Sequence, residues 1–429
     1  MKRVMINELN SYISEKVTIQ GWIHRIRKLK EITFIILRDR TGLVQCVVDN
    51  KAIDVGNIKL ESVVSILGEV KESSNSLNPF EILVETFDII NEVKEELPIE
   101  INKKELEVNL ETMLNNRVLS LRHEKINSIF KIQNLIVQGF REFLTKEGFT
   151  EIFTPKIVAE GAEGGTEIFE IKYFENKAYL TQSPQFYKQM MVGAGYERVF
   201  EIAHVYRAEQ HNTNRHLNEY ISMDFEMGFI ENEEDIMDME ERLLKYVLDK
   251  VAKEGKRNLE VLNTVIPNIE NAIPRIKLSE ALEILRKEYN KTDLDGDLDP
   301  EGEKLICKYA KEKLGCEFIF LTHYPRRKRP MYTMPCGENE THSFDLLFRG
   351  IEITTGGQRI HEYNMLVENI KYKGLNPEKY HSYTSIFKYG MPKHGGLAIG
   401  LERITMQILG LENVREASLI PRDRTRLTP

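Results

Sequence analysis

The sequence predicts an α+β fold in two domains: a small N-terminal β-barrel, then a larger antiparallel β-sheet with flanking helices. Three observations lead there. Five short β-like runs crowd the first 95 or so residues, a helix-periodic stretch opens near residue 124, and strand pairs around turn candidates, rather than alternating strands and crossover helices, dominate the remainder of the chain.

In the barrel region, Val17-Thr18-Ile19-Gln20-Gly21-Trp22-Ile23 leads into Thr33-Phe34-Ile35-Ile36-Leu37, and Asp39-Arg40-Thr41-Gly42 supplies a turn before Leu43–Val48. Val63–Val70 and Phe80–Val84 complete a set of five, the strand count of a Greek-key barrel of the OB type, a fold that commonly binds single-stranded nucleic acid. The charged stretch from Glu92 to Glu111, with Pro98 and no sustained apolar period, marks a hinge, expected over 96–123 between domains 1–95 and 124–429. Ile126, Ile129, Phe130, Val137, Phe140, Phe143 and Leu144 recur at spacings of three and four, which predicts a helix over 124–147 stopped by Gly148.

Beyond it, Phe149–Pro155 reads as extended. Val199–Tyr206 and Glu219–Glu226 flank a polar loop, and Phe344–Phe348 and Ile351–Thr354 flank the tight-turn candidate Arg349-Gly350. Gly396–Gly400 is a short strand feeding a helix from Glu402 to Leu409, with Gly410 as its stop. Residues 231–315 read as largely helical and acidic, with little chemistry in them.

Bulk properties set limits. A chain of 429 residues with 41% hydrophobic residues can bury a large core. No apolar run reaches the roughly 18 residues of a membrane span, and the start lacks the apolar core of a signal peptide, so a cytoplasmic enzyme without a membrane partner is expected. Cys46, Cys307, Cys316 and Cys336 show no CxxC spacing and suggest neither a disulfide framework nor a zinc site. The formal charge of −8 argues against a generic nucleic-acid coat. Basic clusters at 24–30, 326–329 and 422–426 are still dense enough to touch a phosphate backbone, although any one of them alone reads as a solvated face.

The chemistry concentrates in three separated segments: Arg207-Ala208-Glu209 with Arg215-His216-Leu217-Asn218-Glu219, Glu352-Ile353-Thr354-Thr355-Gly356-Gly357-Gln358-Arg359, and Gly400-Leu401-Glu402-Arg403. Together they supply arginines and a histidine suited to clamping phosphates and a glutamate suited to holding a magnesium ion. Activation of a carboxylate by ATP needs this set, because an anion must approach a polyanionic phosphate. Neither a Walker A loop nor a Rossmann fingerprint is present.

In order along the chain, these segments resemble the class II aminoacyl-tRNA synthetases that carry an N-terminal OB anticodon domain, and within them the compact archaeal-type aspartyl enzymes. The resemblance runs from about Val17 to Pro429: Phe149–Pro155 corresponds to motif 1, Arg198–Glu226 to motif 2 and Gly396–Gly410 to motif 3, with Gln182-Ser183-Pro184-Gln185-Phe186-Tyr187-Lys188 between them. It implies a homodimer through motif 1, ATP as co-substrate and Mg²⁺ as cofactor. Arg207 is implied on the α-phosphate and substrate carboxylate, and Arg207 and Arg403 as the catalytic cations. Arg215, His216, Leu217, Gly400 and Arg403 are implied around ATP, Glu209 on the adenine amino group, and Tyr220 stacked on adenine. Glu352 and Thr355 match the metal-binding pair.

Lys188 and Arg359 match the two cations that hold the aspartate side chain, assisted by Gln185, Glu163 and Thr355; asparaginyl relatives lack this lysine, so L-aspartate is the implied substrate. Phe34, Gln45, Arg27 and Glu81 match anticodon contacts. Aspartyl enzymes restricted to tRNA(Asp) carry tryptophan where this chain has His24 and lysine where it has Asn75. The pair therefore resembles relaxed enzymes that also charge tRNA(Asn). An asparaginyl enzyme and a tRNA-independent paralogue are the alternatives.

Overall fold

The structure is a computed structural model that describes residues 2–74, 77–161, 167–210 and 213–429. It divides into two compact units, residues 1–123 and 124–429.

In the first unit, β1 (Lys16–Lys28), β2 (Ile32–Arg38), β3 (Leu43–Asp49), β4 (Val63–Glu72) and β5 (Phe80–Asn91) close a barrel in the order β1-β2-β3-β5-β4. Closure removes the sheet edges that would otherwise expose unpaired backbone groups. Alternation decides the faces: Ile35 and Leu37 of β2, Val44, Cys46 and Val48 of β3, and Val64 and Ile66 of β4 all point into the core, while the residues between them stay accessible. The pairing of β1 with β2 shifts register between Ile23 and Arg25, so His24 is the bulged residue.

Residues 96–123, expected as a hinge, fall within this unit. They bury Ile99 and Ile101, form the short helices α1 (Leu110–Asn115) and α2 (Arg117–Ser120), and tie Asn102 Nδ2 to Glu61 Oε1 at 2.8 Å.

The second unit opens with α3 (Glu124–Lys146), whose buried face of Ile129, Ile132, Ile136, Phe140, Phe143 and Leu144 follows the predicted period. The chain continues through β6 (Thr150–Glu151), β7 (Ile157–Val158), β8 (Glu170–Tyr173), β9 (Asn176–Leu180), α4 (Gln185–Met191), β10 (Arg198–Tyr206) and β11 (Glu219–Gly228). Residues 234–313 hold α5 (Glu234–Glu254), α6 (Lys256–Leu262), β12 (Arg275–Lys277), α7 (Leu278–Tyr289) and α8 (Pro300–Lys313). Then come β13 (Phe318–Thr322), the hairpin β14 (Pro335–Cys336) and β15 (Glu340–Thr341), β16 (Ser343–Phe348), β17 (Ile351–Arg359), α9 (Tyr363–Tyr372), α10 (His381–Thr384), β18 (His394–Gly400) and α11 (Leu401–Leu409).

Eight strands form one sheet in the order β12-β13-β16-β17-β18-β11-β10-β6. Its centre is antiparallel as expected, but the two edge pairs, β12 with β13 and β10 with β6, are parallel, so the sheet is mixed. The β16–β17 turn takes Arg349 and Gly350 to φ +48° and +91°, the left-handed pair that a two-residue hairpin requires. Helices α3, α5 and α11 cover the sheet through one continuous core that includes Ile136, Phe140, Leu244, Val247, Phe225, Leu397 and Ile404. This packing fixes β10, β11, β17 and β18 side by side, and these four strands carry the chemistry.

Candidate active site and nucleic-acid face

β10 and β11 pair in register from Arg198–Met227 to Tyr206–Glu219, so the loop between them leaves and re-enters the sheet at one end. Within it the Arg207 N–H donates to Asn218 O at 2.9 Å, and Asn218 Nδ2 donates back to the carbonyls of Arg207 and Glu209. The chain end braces this loop: the Asn218 N–H meets Arg422 O at 3.0 Å and Arg424 NH1 meets Gln210 O at 3.1 Å. The basic cluster at 422–426 is thus partly occupied in holding the loop.

One cleft of about 310 Å³ gathers Arg207, Glu209, Arg215, His216, Leu217, Tyr220, Glu352, Thr355, Arg359, Gly400, Arg403 and Gln185 from stretches far apart in sequence. Every expected nucleotide residue is among them. Arg207 lies over the Tyr220 ring at 5.8 Å and 3.8 Å from Glu209 Oε1. His216 Nδ1 is 2.6 Å from the Thr213 hydroxyl and Nε2 is 4.0 Å from Glu209 Oε2. Arg215 is braced by Glu303 of α8 at 2.8 Å, which gives the acidic helical stretch a link to the site that its sequence does not suggest.

Arg403, in the first turn of α11, donates to Glu352 O at 3.1 Å and stands 3.7 Å from its carboxylate. Burial alone would raise the Glu352 carboxyl, but Arg403, the Thr355 hydroxyl donating to it at 2.8 Å, Arg329 and Arg207 hold it below the usual range. It is therefore an ionised oxygen donor facing the cleft.

The residues expected around aspartate are placed differently from one another. Gln185 and Arg359 line the cleft; Lys188 does not. Lys188 is fully buried, and its ammonium is taken by Asp224 Oδ1 at 2.8 Å and by the Leu397 and Phe225 carbonyls at 3.1 and 3.4 Å, with Glu226 at 3.6 Å. Arg359 pairs with Glu226 at 3.0 Å and donates to Gly396 O at 2.8 Å. Burial pushes the Glu226 carboxyl up, but Arg359, Lys188 and His394 outweigh it and keep it low. The two cations thus belong to a quartet with two carboxylates, and Lys188 touches those carboxylates and two backbone carbonyls rather than the cleft. Asp224 and Glu226 carry no signal in the sequence beyond their strand.

Arg329, Tyr332, Thr333, Ser222 and Glu402 also line the cleft; the sequence assigns none of them a place there, although Glu402 lies in the segment Gly400–Arg403 and Arg329 in the basic cluster at 326–329. Glu402 accepts the Ile221 N–H, and burial pushes its carboxyl up to about 8. Arg329 comes from the basic cluster at 326–329 and turns inward, 2.8 Å from Asp345 and 3.8 Å above the Tyr324 ring. Arg326 is bonded to Asn369, so the cluster is divided: Arg326 and Arg329 are engaged by the protein, while Arg327 and Lys328 stay exposed. A side chain at Gly356 would collide with the Phe344 ring at 2.4 Å, so that glycine answers sheet packing rather than ligand approach alone.

On the barrel, Arg25, Arg27, Phe34, Ile36, Gln45 and Leu60 line an open groove. Arg27 and Phe34 are cross-strand partners, and Gln45, opposite Ile36, donates to Glu81 at 2.7 Å. His24 does not join them. Its Nδ1 lies 3.2 Å from Asn102 Nδ2 and 3.4 Å from Arg38, and burial with Arg38 beside it lowers its pKa to about 4. The bulge turns it toward the Glu61 network, away from the groove. Asn75 and Glu163 lie outside the described residues. No helix among the described residues is long and apolar enough to cross a membrane.

The family model "tRNA synthetases class II (D, K and N)" matches residues 109–424, and "OB-fold nucleic acid binding domain" matches 17–90. An aspartate–tRNA(Asp/Asn) ligase of Deinococcus radiodurans is 48% identical over 100% of this chain and 99% of its own length. An aspartate–tRNA(Asp) ligase of Pyrococcus furiosus is 44% identical over 99% and 98%. The crystal structure of an asparaginyl-tRNA synthetase from Pyrococcus horikoshii, complexed with asparaginyl-adenylate, superposes with a TM-score of 0.92 at 28% identity, covering 100% of both chains. With both domains matched along nearly the whole length, the chain belongs to the class II tRNA synthetases of the D, K and N group.

Proposed function

We propose that the protein is an aspartate–tRNA ligase that activates L-aspartate with ATP and transfers it to tRNA(Asp) and also to tRNA(Asn). The observation that carries this reading is the single cleft in which phosphate-clamping cations, an ionised Glu352 and an Arg359–Gln185 wall come together. In the first step an aspartate carboxylate oxygen attacks the α-phosphorus and pyrophosphate departs. In the second, a hydroxyl of the terminal tRNA ribose attacks the acyl carbon and AMP departs. Arg207 offsets the charge of carboxylate and phosphate as they meet; His216, Arg215 and Arg403 bear on the outer phosphates; Tyr220 and Glu209 present an aromatic face and an acceptor to adenine.

Glu352 and Thr355 suit magnesium: they offer two hard oxygens, and Mg²⁺ commonly takes one or two carboxylates and fills its shell with phosphates and water. When bound there it would neutralise phosphate charge. The Arg27–Phe34–Gln45 groove supports anticodon reading by stacking and edge contacts. Phe153, 84% exposed on the segment matching motif 1, supports a homodimer across that segment.

The choice of aspartate over asparagine is supported by Arg359 lining the cleft with Lys188 buried behind it against Asp224 and Glu226, since charge is what separates these near-isosteres. The reading on tRNA(Asn) draws on the name of the Deinococcus radiodurans relative and on His24 in place of tryptophan. The test is ATP–pyrophosphate exchange with each amino acid, followed by charging of tRNA(Asp) and tRNA(Asn) transcripts. Exchange should depend on aspartate, and both tRNAs should be charged within roughly tenfold, because one well-read base is worth only about 1–3 kcal/mol. Equal stimulation by asparagine would overturn the amino-acid assignment; a thousandfold preference for tRNA(Asp) would overturn only the relaxed one.

A further inference from the structure

We propose that His323, Cys336 and His342 form a binding site for a thiophilic transition-metal dication, with Zn²⁺ the best match, separate from the magnesium pair and outside the aminoacylation cleft. One ligand atom from each residue lies within 4.8 Å of the others, and none of the three lines the cleft. All are partly exposed, so a metal can reach them. Two imidazoles and a thiolate are a borderline-soft set that zinc and cobalt accept and magnesium does not.

The rings are already oriented. His323 Nδ1 is 2.9 Å from the Thr322 hydroxyl, and His342 Nδ1 is 2.8 Å from Glu233 Oε2, which leaves Nε2 of each ring available. The His342–Glu233 contact is the carboxylate–histidine pairing that fixes ring orientation and raises ligand basicity in metal sites. Glu233 and Glu340 both bear on Cys336 and on His323, with Lys277 the opposing cation, so carboxylates outnumber cations there and favour a dication; burial and the same carboxylates push the Cys336 thiol up, so the metal has to displace its proton.

The backbone is held as well. His323 sits at φ +60°, uncommon for a residue with a side chain, and its N–H is bonded to Ser343 O at 2.9 Å; the His342 N–H donates to Met334 O at 2.9 Å, and Cys336 pairs with Glu340 in the β14–β15 hairpin. The ligand atoms, now within 4.8 Å of one another, have to draw closer for one metal to bond all three. Binding releases the Cys336 thiol proton to solvent as the Zn–S bond forms.

The placement gives the site a role. His323 precedes and Cys336 follows the segment 324–335, which contributes Arg329, Tyr332 and Thr333 to the cleft wall. A metal joining the two ends closes that segment into a loop and limits how far the wall can open. The absence of a CxxC pattern hides the site, because its ligands come from the end of β13, the hairpin and the start of β16.

The test uses the full chain loaded with Zn²⁺ or Co²⁺ and dialysed in excess Mg²⁺. One zinc per chain should be retained, and the cobalt form should show thiolate-to-metal charge-transfer absorption. Cys336→Ser and His342→Gln should each abolish the retained zinc, Cys316→Ser should change nothing, and Glu233→Gln should weaken affinity by about 10–100-fold. No thiolate–cobalt band in the wild type, or zinc retained equally by Cys336→Ser and His342→Gln, overturns the proposal.

Discussion

The buried quartet of Lys188, Arg359, Asp224 and Glu226 makes a prediction whose sign depends on charge balance. As it stands the quartet pairs two cations with two carboxylates, and both carboxylates lie at most 1% exposed by side chain. Lys188→Met leaves it with a net negative charge beside the pocket proposed for the aspartate carboxylate. At a separation of about 5 Å and an effective dielectric of about 20, a unit charge is worth about 3 kcal/mol, or roughly a hundredfold in kcat/KM for aspartate. Asparagine carries no side-chain charge and should lose far less. The same substitution breaks a buried pair and should cost about 3–5 kcal/mol of stability, so activity alone does not identify the electrostatic effect. The double variant Lys188→Met/Asp224→Asn restores neutrality. It should recover most of the aspartate-over-asparagine ratio in ATP–pyrophosphate exchange, and part of the stability lost to chemical denaturant, while the KM for ATP stays near the wild-type value in both. A double variant as poor in that ratio as Lys188→Met would refute the reasoning, since geometry rather than charge would then be in control.

Three other outcomes are expected. Arg207→Ala should abolish adenylate formation in the exchange assay while leaving tRNA affinity, read by filter binding, largely intact; normal aspartate activation would mean that its phosphate role is misassigned. Phe34→Ala should weaken tRNA binding by about 1–3 kcal/mol without changing exchange, and undiminished binding would make the ring mere barrel surface. Glu240 is wholly buried, and burial pushes its pKa to about 8. Its folded pKa exceeds the unfolded one, so its contribution to stability is complete below about pH 4.5 and is lost as pH rises through about 8, with a slope of at most about 1.4 kcal/mol per unit. Glu240→Gln should therefore gain stability relative to wild type across that window in denaturant titrations, and a pH-independent difference would contradict the buried-acid assignment.

Local pattern is enough for elements whose signal is periodic. The helix at 124–146 follows from apolar spacing, the barrel strands from alternation, and the turn at 349–350 from a glycine that tolerates positive φ. The residues proposed for the nucleotide sit in ordered short segments, and Arg207, Glu352 and Arg403 meet in one cleft. Sequence order does not determine which charge neutralises which. Lys188 and Asp224 are 36 residues apart, yet the packing of α4 on β11 puts them 2.8 Å apart in the interior, where a cation must be compensated. His24 reads as a groove residue by position, but a bulge, a backbone irregularity with no composition signal, turns it to Asn102 and Arg38. Likewise His323, Cys336 and His342 have no recognisable spacing, and only the pairing of β13 with β16 and the small hairpin beside them brings the three together. The elements and the kind of chemistry are therefore written in local stretches of residues. Which charged groups face the cleft, and which are used up in holding it, is settled by folding, because long-range pairing and burial are properties of the packed chain rather than of any segment.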